Sequence, residues 1–262
     1  MLVEFKGTRL LLARAGKHLS ELSSQLDELS KTISVIQIVE PEGQEYVMKA
    51  RLNGHLPDEL SVVAKDVITD LRDALDHAVY ASAAAIIGGE PRNTKFMAGR
   101  SESAIKDDIK RGRYTDVPKP IMDLMWSFRP FEGGHPILST FNELRNQKTH
   151  RTLVPFIYKH GGTVSMSVTH VGPEGFRLEQ MGGDDIWDQE KQELTLARLG
   201  TSPHSGIKFE TSFDIVIHGT DIAGKHQPAL QFLNAAASEF ARIVSAIEAE
   251  TIKTIDANKT NA

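Results

Sequence analysis

Cysteine is absent from all 262 residues. That excludes disulfides, thiolate nucleophiles, cysteine-type zinc sites and iron–sulfur ligation, and it suits a reducing cytosol. Long apolar runs are missing as well. The first, Leu10 to Ala13, is four residues between Arg9 and Arg14, too short for the core of a secretory signal. The stretch Ala78 to Gly89, free of charged residues and histidine, has 12 residues, against the about 20 that a helical membrane span needs. A soluble, cytoplasmic chain with no membrane partner is expected. The phosphate-cradling loops G-x-x-x-x-G-K-[ST] and G-x-G-x-x-G are absent, as are G-x-S-x-G and H-E-x-x-H, so the nucleotide, serine-hydrolase and zincin signatures are all missing. No internal repeat is visible. Positive charge is in short supply: 30 basic residues against 35 acidic ones leave a formal charge of −5. A whole-surface nucleic-acid coat is excluded, while a local basic patch is not.

What remains is an ordinary globular composition, 40% hydrophobic and 25% charged, long enough to bury its own core. From Gly7 to Val39, Leu12, Ala15, Leu19, Leu22, Leu26, Leu29, Ile33 and Ile36 follow a 3-4 spacing. This predicts one long helix, packed in a bundle or in a dimeric coiled coil, that Pro41-Glu42-Gly43 ends. Glu45 to Leu52 alternates weakly as a strand would. Pro57, Asp58 and Glu59 open a second long helix running to Ile87, which Gly88-Gly89 stops. Short helices fit Ser101–Arg111, Pro120–Ser127 and Pro136–Arg151. Past Thr152 the period shifts to two in Thr163–Val171, Phe176–Gln180, Glu193–Leu199 and Ile207–His218, with Gly161-Gly162 among the glycine breaks. An amphipathic helix from Gln227 to about Ile255 closes the chain. The expectation is an α+β fold: an N-terminal bundle of long antiparallel helices, then a C-terminal antiparallel sheet closed by a final long helix. The division expected is 1–152, helical with one candidate strand, and 153–262, sheet plus last helix.

Two segments concentrate chemistry. The second helix carries Leu71-Arg72-Asp73-Ala74-Leu75-Asp76-His77, and a later one reads Leu144-Arg145-Asn146-Gln147-Lys148-Thr149-His150-Arg151. Each places a polar residue after an arginine and a histidine five positions beyond it. Arg129…His135 and Arg198…His204 have related spacings in expected loops. On a helix, Arg72 and His77 stand about 140° apart, whereas Arg72–Asp76 and Asp73–His77 each share a face. Two readings stay open. The pairs form a structural Arg-Asp-His network, or they form one site with the second segment. Asp73, Asp76, His77 and His150 also have the hard-donor character of a Mn or Fe site, although no metal or other cofactor is expected. Trp126 and Phe128 beside Arg129 are read as core residues, with a base-stacking platform as the alternative.

The R-x(4–6)-H spacing resembles the signature of HEPN-type helical ribonucleases. That resemblance implies metal-independent RNA cleavage by attack of a 2′-hydroxyl on the adjacent phosphate, in defence or toxin biology. Histidine would move the proton and arginine would stabilise the phosphorane. It makes Arg72, His77, Arg145 and His150 the catalytic candidates, and Asp73, Asp76, Asn146, Lys148 and Arg151 the substrate-binding ones. It also implies a homodimer with RNA as partner. Residues 60–153 further resemble a group of bacterial proteins without an assigned activity, in which an LRxALDH-like helix is followed by a segment ending in DKHR. This chain differs there, having Thr149 and no Asp in Gln147-Lys148-Thr149-His150-Arg151. The alternative expectation is a non-catalytic oligomeric scaffold or ligand-binding protein.

Overall fold

The computed structural model describes residues 5–32, 34–42, 45–53, 57–148, 156–168, 178–181, 187–188, 191, 193–199, 207–217, 220, 222, 225 and 227–260. In chain order they form α1 (Lys6–Thr32), β1 (Ser34–Glu42), β2 (Glu45–Asn53), α2 (Asp58–Ile87), α3 (Glu102–Lys110), α4 (Lys119–Ser127), α5 (Pro136–Lys148), β3 (Phe156–Val168), β4 (Leu178–Met181), β5 (Trp187–Asp188), β6 (Glu193–Leu199), β7 (Ile207–Ile217) and α6 (Ala229–Thr260). The fold is α+β, with a long final helix. None of the described helices is long and apolar enough to cross a membrane.

The chain makes two compact units, interleaved in sequence. The first joins Met1–Ser24, Asp58–Phe156 and Ile217–Ala262. The second joins Gln25–Pro57 and Ile157–Val216.

The first unit is helical. Its centre is α2 against α6; Leu71, Leu75, Ala78 and Ser82 of α2 and Leu233, Ala236, Phe240, Val244 and Ile247 of α6 are all buried. Small residues on α2 (Ala74, Ala78, Ser82, Ala83) let the two backbones approach, and the buried Ser82 and Thr251 hydroxyls answer each other at 2.6 Å. Arg14 of α1 pairs with Asp70, and Gly7 lies beside His77, so α1 runs antiparallel to α2, the arrangement expected for the long helices. Phe141 of α5 meets Phe240 at 4.6 Å between ring centroids, tilted by 59°, an aromatic geometry that adds to the burial itself. Gly88 and Gly89 take φ of 84° and 75° and end α2, because that left-handed backbone costs glycine nothing. Ser101 caps α3 by accepting from the Ala104 amide at 3.1 Å.

The second unit holds the sheets. The larger one has the order β1-β2-β6-β4, with β5 also on β6, and its pairings are antiparallel. β3 and β7 form a separate two-stranded sheet. The larger sheet is not purely C-terminal, since residues 34–53 supply β1 and β2. This corrects the expected helix to Val39: α1 ends at Thr32, and Ile36 sits in β1 opposite Arg51. Val35, Ile36, Ile38 and Val39 are β-branched, stiff against a helical turn and well suited to a pleated surface. Pro41 is tolerated because β1 is at the end of the sheet order. Likewise Gly161-Gly162, expected as a break, lies inside β3. Arg51 of β2 donates to the buried Glu193 of β6 at 2.7 Å, with Lys49 at 3.7 Å.

Candidate functional site

The second long helix forms as its sequence directs, and its periodicity sorts the four polar residues of the Arg72–His77 segment onto different neighbours. Arg72 follows the buried Leu71 and is itself only 7% exposed. A guanidinium taken that far from water must be paired or hydrogen-bonded. Its Nη2 donates to the Phe96 carbonyl at 2.7 Å and lies 3.1 Å from Oδ1 of Asp76, one turn on. The same Oδ1 accepts from the Phe96 amide at 2.8 Å. Arg72 and Asp76 thus hold both main-chain groups of one peptide residue, and the Phe96 ring lies 5.7 Å from the Arg72 Cζ. Phe96 and Met97 are buried although they belong to a connecting segment without regular structure. Such a segment stays folded only where its polar backbone finds partners. Asp116 serves it in the same way, accepting from the Arg92 and Asn93 amides at 2.7 and 3.1 Å. Those two amides hold the Asp116 carboxyl below its usual range.

Tyr114 completes the surroundings. It takes φ 68° and is 8% exposed, an uncommon backbone for a bulky residue. Burial pushes its phenol up, Asp108 adds to this, and the nearby Arg72 charge opposes it. The phenol is therefore neutral across the physiological range.

Asp73 and His77 point elsewhere. His77 is exposed, and a Cβ placed on Gly7 would come within 3.4 Å of its Nδ1, so it stands beside the first turn of α1. Asp73 is half-buried and acts on Arg14, whose guanidinium is raised above its ordinary value first by the Asp70 hydrogen bond and charge, then by Asp73 and Asp66. Asp70 is 2% exposed, accepts from Arg14 Nε at 2.7 Å, and has His18 Nε2 at 3.8 Å. Arg72 and Asp76 face the Phe96 segment, while Asp73 and His77 face α1. The structure does not bring Arg72 and His77 to one point.

Arg145, Asn146 and Lys148 fall in the last turn of α5, where only the backbone is described. His150 and Arg151 lie outside the described residues. Two turns at most separate that end from Asn142, which is buried and shares a small cavity with Arg72. Among the described residues no group of three or more His, Asp or Glu side chains is arranged to hold a metal.

A second polar cluster was not anticipated as a site. His135 Nε2 lies 3.2 Å from Glu239, which also accepts two bonds from Arg242 at 2.9 and 2.7 Å. Arg242 in turn lies 5.3 Å from the centre of the Phe128 ring. The only advance signal was the Arg129…His135 spacing, in a stretch read as loop. Phe128 and Trp126 are half-buried; Trp126 packs 6.2 Å from Phe131 and carries Lys106 at 5.8 Å. The Arg242 hydrogen bonds depress the Glu239 carboxyl, burial opposes them, and the Arg242 and His135 charges add to the depression. A depressed carboxylate stabilises the fold above the unfolded carboxyl range and loses that contribution as pH falls through the folded value. Melting temperatures taken from about pH 6 down to about pH 3 should fall less steeply in Glu239→Gln than in the wild type. Equal slopes would show that the pair contributes nothing.

Comparison with known proteins adds no relative: no family model, no curated protein and no solved structure matches this chain.

Proposed function

We propose that the chain is a non-catalytic binding protein in which Arg72 and Asp76 are structural. The observation that supports this most is the use of the Arg72 guanidinium. It is buried and spent on the Phe96 carbonyl and Asp76, whereas a phosphorane-stabilising arginine has to meet developing charge on a substrate. His77, the matching proton carrier, is exposed on a different side of α2 beside Gly7. The exposed Leu10, Tyr80, Ile87 and Ile252 favour self-association as a homodimer, which light scattering of the purified chain reads directly.

The test is incubation of the full chain with a mixed RNA pool, in excess EDTA and again with Mg²⁺ and Mn²⁺. No cleavage above buffer is expected, and none that changes in His77→Ala. Cleavage that survives EDTA, leaves 2′,3′-cyclic ends and disappears in His77→Ala would replace this reading with the metal-independent endonuclease.

A further inference from the structure

Charge is unevenly spread along this chain. Residues 91–116 hold seven basic residues against four acidic ones, in a chain whose total is −5. The bases gather at one turn. Lys110-Arg111-Gly112-Arg113 closes α3, and all four residues are exposed. The turn is fixed from within. The Arg111, Gly112 and Arg113 amides return to the Asp107, Ile109 and Asp108 carbonyls, each at 3.0 Å. Gly112 takes φ 79° and Tyr114 takes φ 68°. A left-handed tyrosine is strained, and its burial holds it in place. Asp116 then brings in a second segment. It accepts from the Arg92 and Asn93 amides, and Asn93 Nδ2 donates to Thr115 Oγ1 at 3.0 Å. The exposed Arg92 therefore lies beside the basic turn, and the exposed Lys95 follows it.

A helix C-terminus favours cations for its own sake, which accounts for Lys110 and Arg111. It does not account for Arg92, which Asp116 brings across. Three cations have acidic neighbours: Lys106 with Glu102 at 2.6 Å, Lys110 with Asp107 at 3.6 Å and Arg113 with Asp108 at 3.0 Å. Ion pairs at a surface are weak and yield to a stronger anion. Among the described residues Arg111 and Lys95 have no ion pair. Toward the start of α3 the strip reaches an aromatic ring. Lys106, one helical turn before Lys110, lies 5.8 Å from the centre of the half-buried Trp126 ring. Cations leading to an aromatic ring suit a single strand, whose phosphates meet the cations and whose bases stack. An acidic peptide would leave the ring idle. An anionic bilayer needs apolar side chains to insert, and the large exposed ones among the described residues, Leu10, Val62, Tyr80, Ile87 and Ile252, all lie on α1, α2 and α6. We propose that this strip holds single-stranded nucleic acid, with phosphates on Arg92, Lys110, Arg111 and Arg113 and a base against Trp126. The proposal rests on the binding reading and names its partner: the strand is held, not cut. Single-stranded DNA lacks the 2′-hydroxyl that metal-independent cleavage attacks, so DNA retention and RNA cleavage succeed or fail separately.

Fluorescein-labelled oligothymidylate and oligouridylate, each of about 20 nucleotides, are the probes. They are titrated with the full chain and followed by anisotropy. Both should bind with a Kd on the order of 10 μM at about 50 mM salt. Three phosphate contacts give a log–log salt slope of about −2, an about 16-fold loss of affinity between about 50 and about 200 mM. Replacing both arginines, Arg111→Ala with Arg113→Ala, should weaken binding about tenfold and bring the slope to about −0.7. Lys259→Ala, in the last turn of α6, should change neither. Trp187→Phe leaves Trp126 as the only tryptophan. Oligothymidylate should quench its emission, and inorganic polyphosphate, which has no bases, should not. Failure of both strands to bind at low salt overturns the proposal. So does a double variant that binds as the wild type does, and so does Trp126 emission that the strand leaves unchanged. Polyglutamate or phosphatidylserine vesicles that displace the strand at equal charge overturn it as well.

Discussion

Arg72→Ala should lower the stability of the helical unit by about 3 kcal/mol, since removing one partner of a buried pair leaves the other uncompensated. That corresponds to a fall in Tm of roughly 6–12 °C for a unit of this size. The loss has three parts. The buried Phe96 carbonyl loses its donor at 2.7 Å. Asp76 loses its cation while still tied to the Phe96 amide. The adjoining cavity, which Arg72 lines, grows and gives up contacts. Arg72→Lys keeps the charge but not the planar fork that reaches a carbonyl and a carboxylate together; about 2 kcal/mol should be lost. Asp76→Asn keeps an oxygen for the Phe96 amide and should cost about 1 kcal/mol. The Arg72→Ala, Asp76→Ala and double variants close a cycle, and strong coupling is expected because both residues hold the same peptide. Denaturant unfolding reads all of these. Additive losses would show that Arg72 and Asp76 act on Phe96 independently.

That expectation also marks how far the residues alone could take the reading. The spacing of Arg72 and Asp76 put them on one face of a helix, and the structure keeps them together. Their partner, Phe96, lies twenty residues on in a segment with no period to read, so nothing local announced it. Asn142 was hidden for the same reason: its meaning comes from α2 and the Phe96 segment folding against it. The R-x(4–6)-H pattern counts residues along a chain, and on a helix that count separates Arg72 from His77. In the irregular stretch between α4 and α5, the Arg129 carbonyl accepts from the His135 amide at 2.9 Å, so there the same kind of spacing brings two backbones together.

Fold was legible where one period ran unbroken. The α2 boundaries follow from Asp58 at one end and Gly88 at the other, and β6 matches its expected span, Glu193–Leu199. The error in α1 has a physical cause. A 3-4 spacing of apolar residues continued through Ile36, but the residues filling it changed from leucine to β-branched types. Periodicity alone is blind to that change, and propensity together with the pairing of β1 to β2 decides it. The interleaving of the two units was equally invisible, since strand partners such as Arg51 and Glu193, 142 residues apart, leave no mark on either strand.

The turn that carries His135 yields the other large effect. Gly134→Ala should cost about 3 kcal/mol and lower Tm by about as much as Arg72→Ala. The reason is space, not conformational freedom. A Cβ at Gly134 would collide with the Arg129 carbonyl oxygen and come within 2.8 Å of the Phe131 oxygen and 2.9 Å of the Arg129 Cβ. Two of those atoms are backbone, so no side chain can swing aside. Gly133 is the contrasting neighbour: its φ is 76°, but nothing lies within 4 Å of a Cβ there. Gly133→Ala therefore meets only the left-handed penalty of about 1 kcal/mol. The turn is tied by Phe131 and His135 amides on the Arg129 carbonyl at 2.8 and 2.9 Å, and by the Gly134 amide on the Phe131 carbonyl at 2.9 Å. Arg129 itself sits at φ 50°, a strain that the other bonds must hold. Opening this turn to admit a methyl group shifts Pro130, a wall of the Arg72–Asn142 cavity, and withdraws His135 from Glu239. The His135 ring resonances in an NMR spectrum of Gly134→Ala should then move, and those of Gly133→Ala should not. Equal costs for the two substitutions would mean that this turn yields easily, and that the cavity wall does not depend on it.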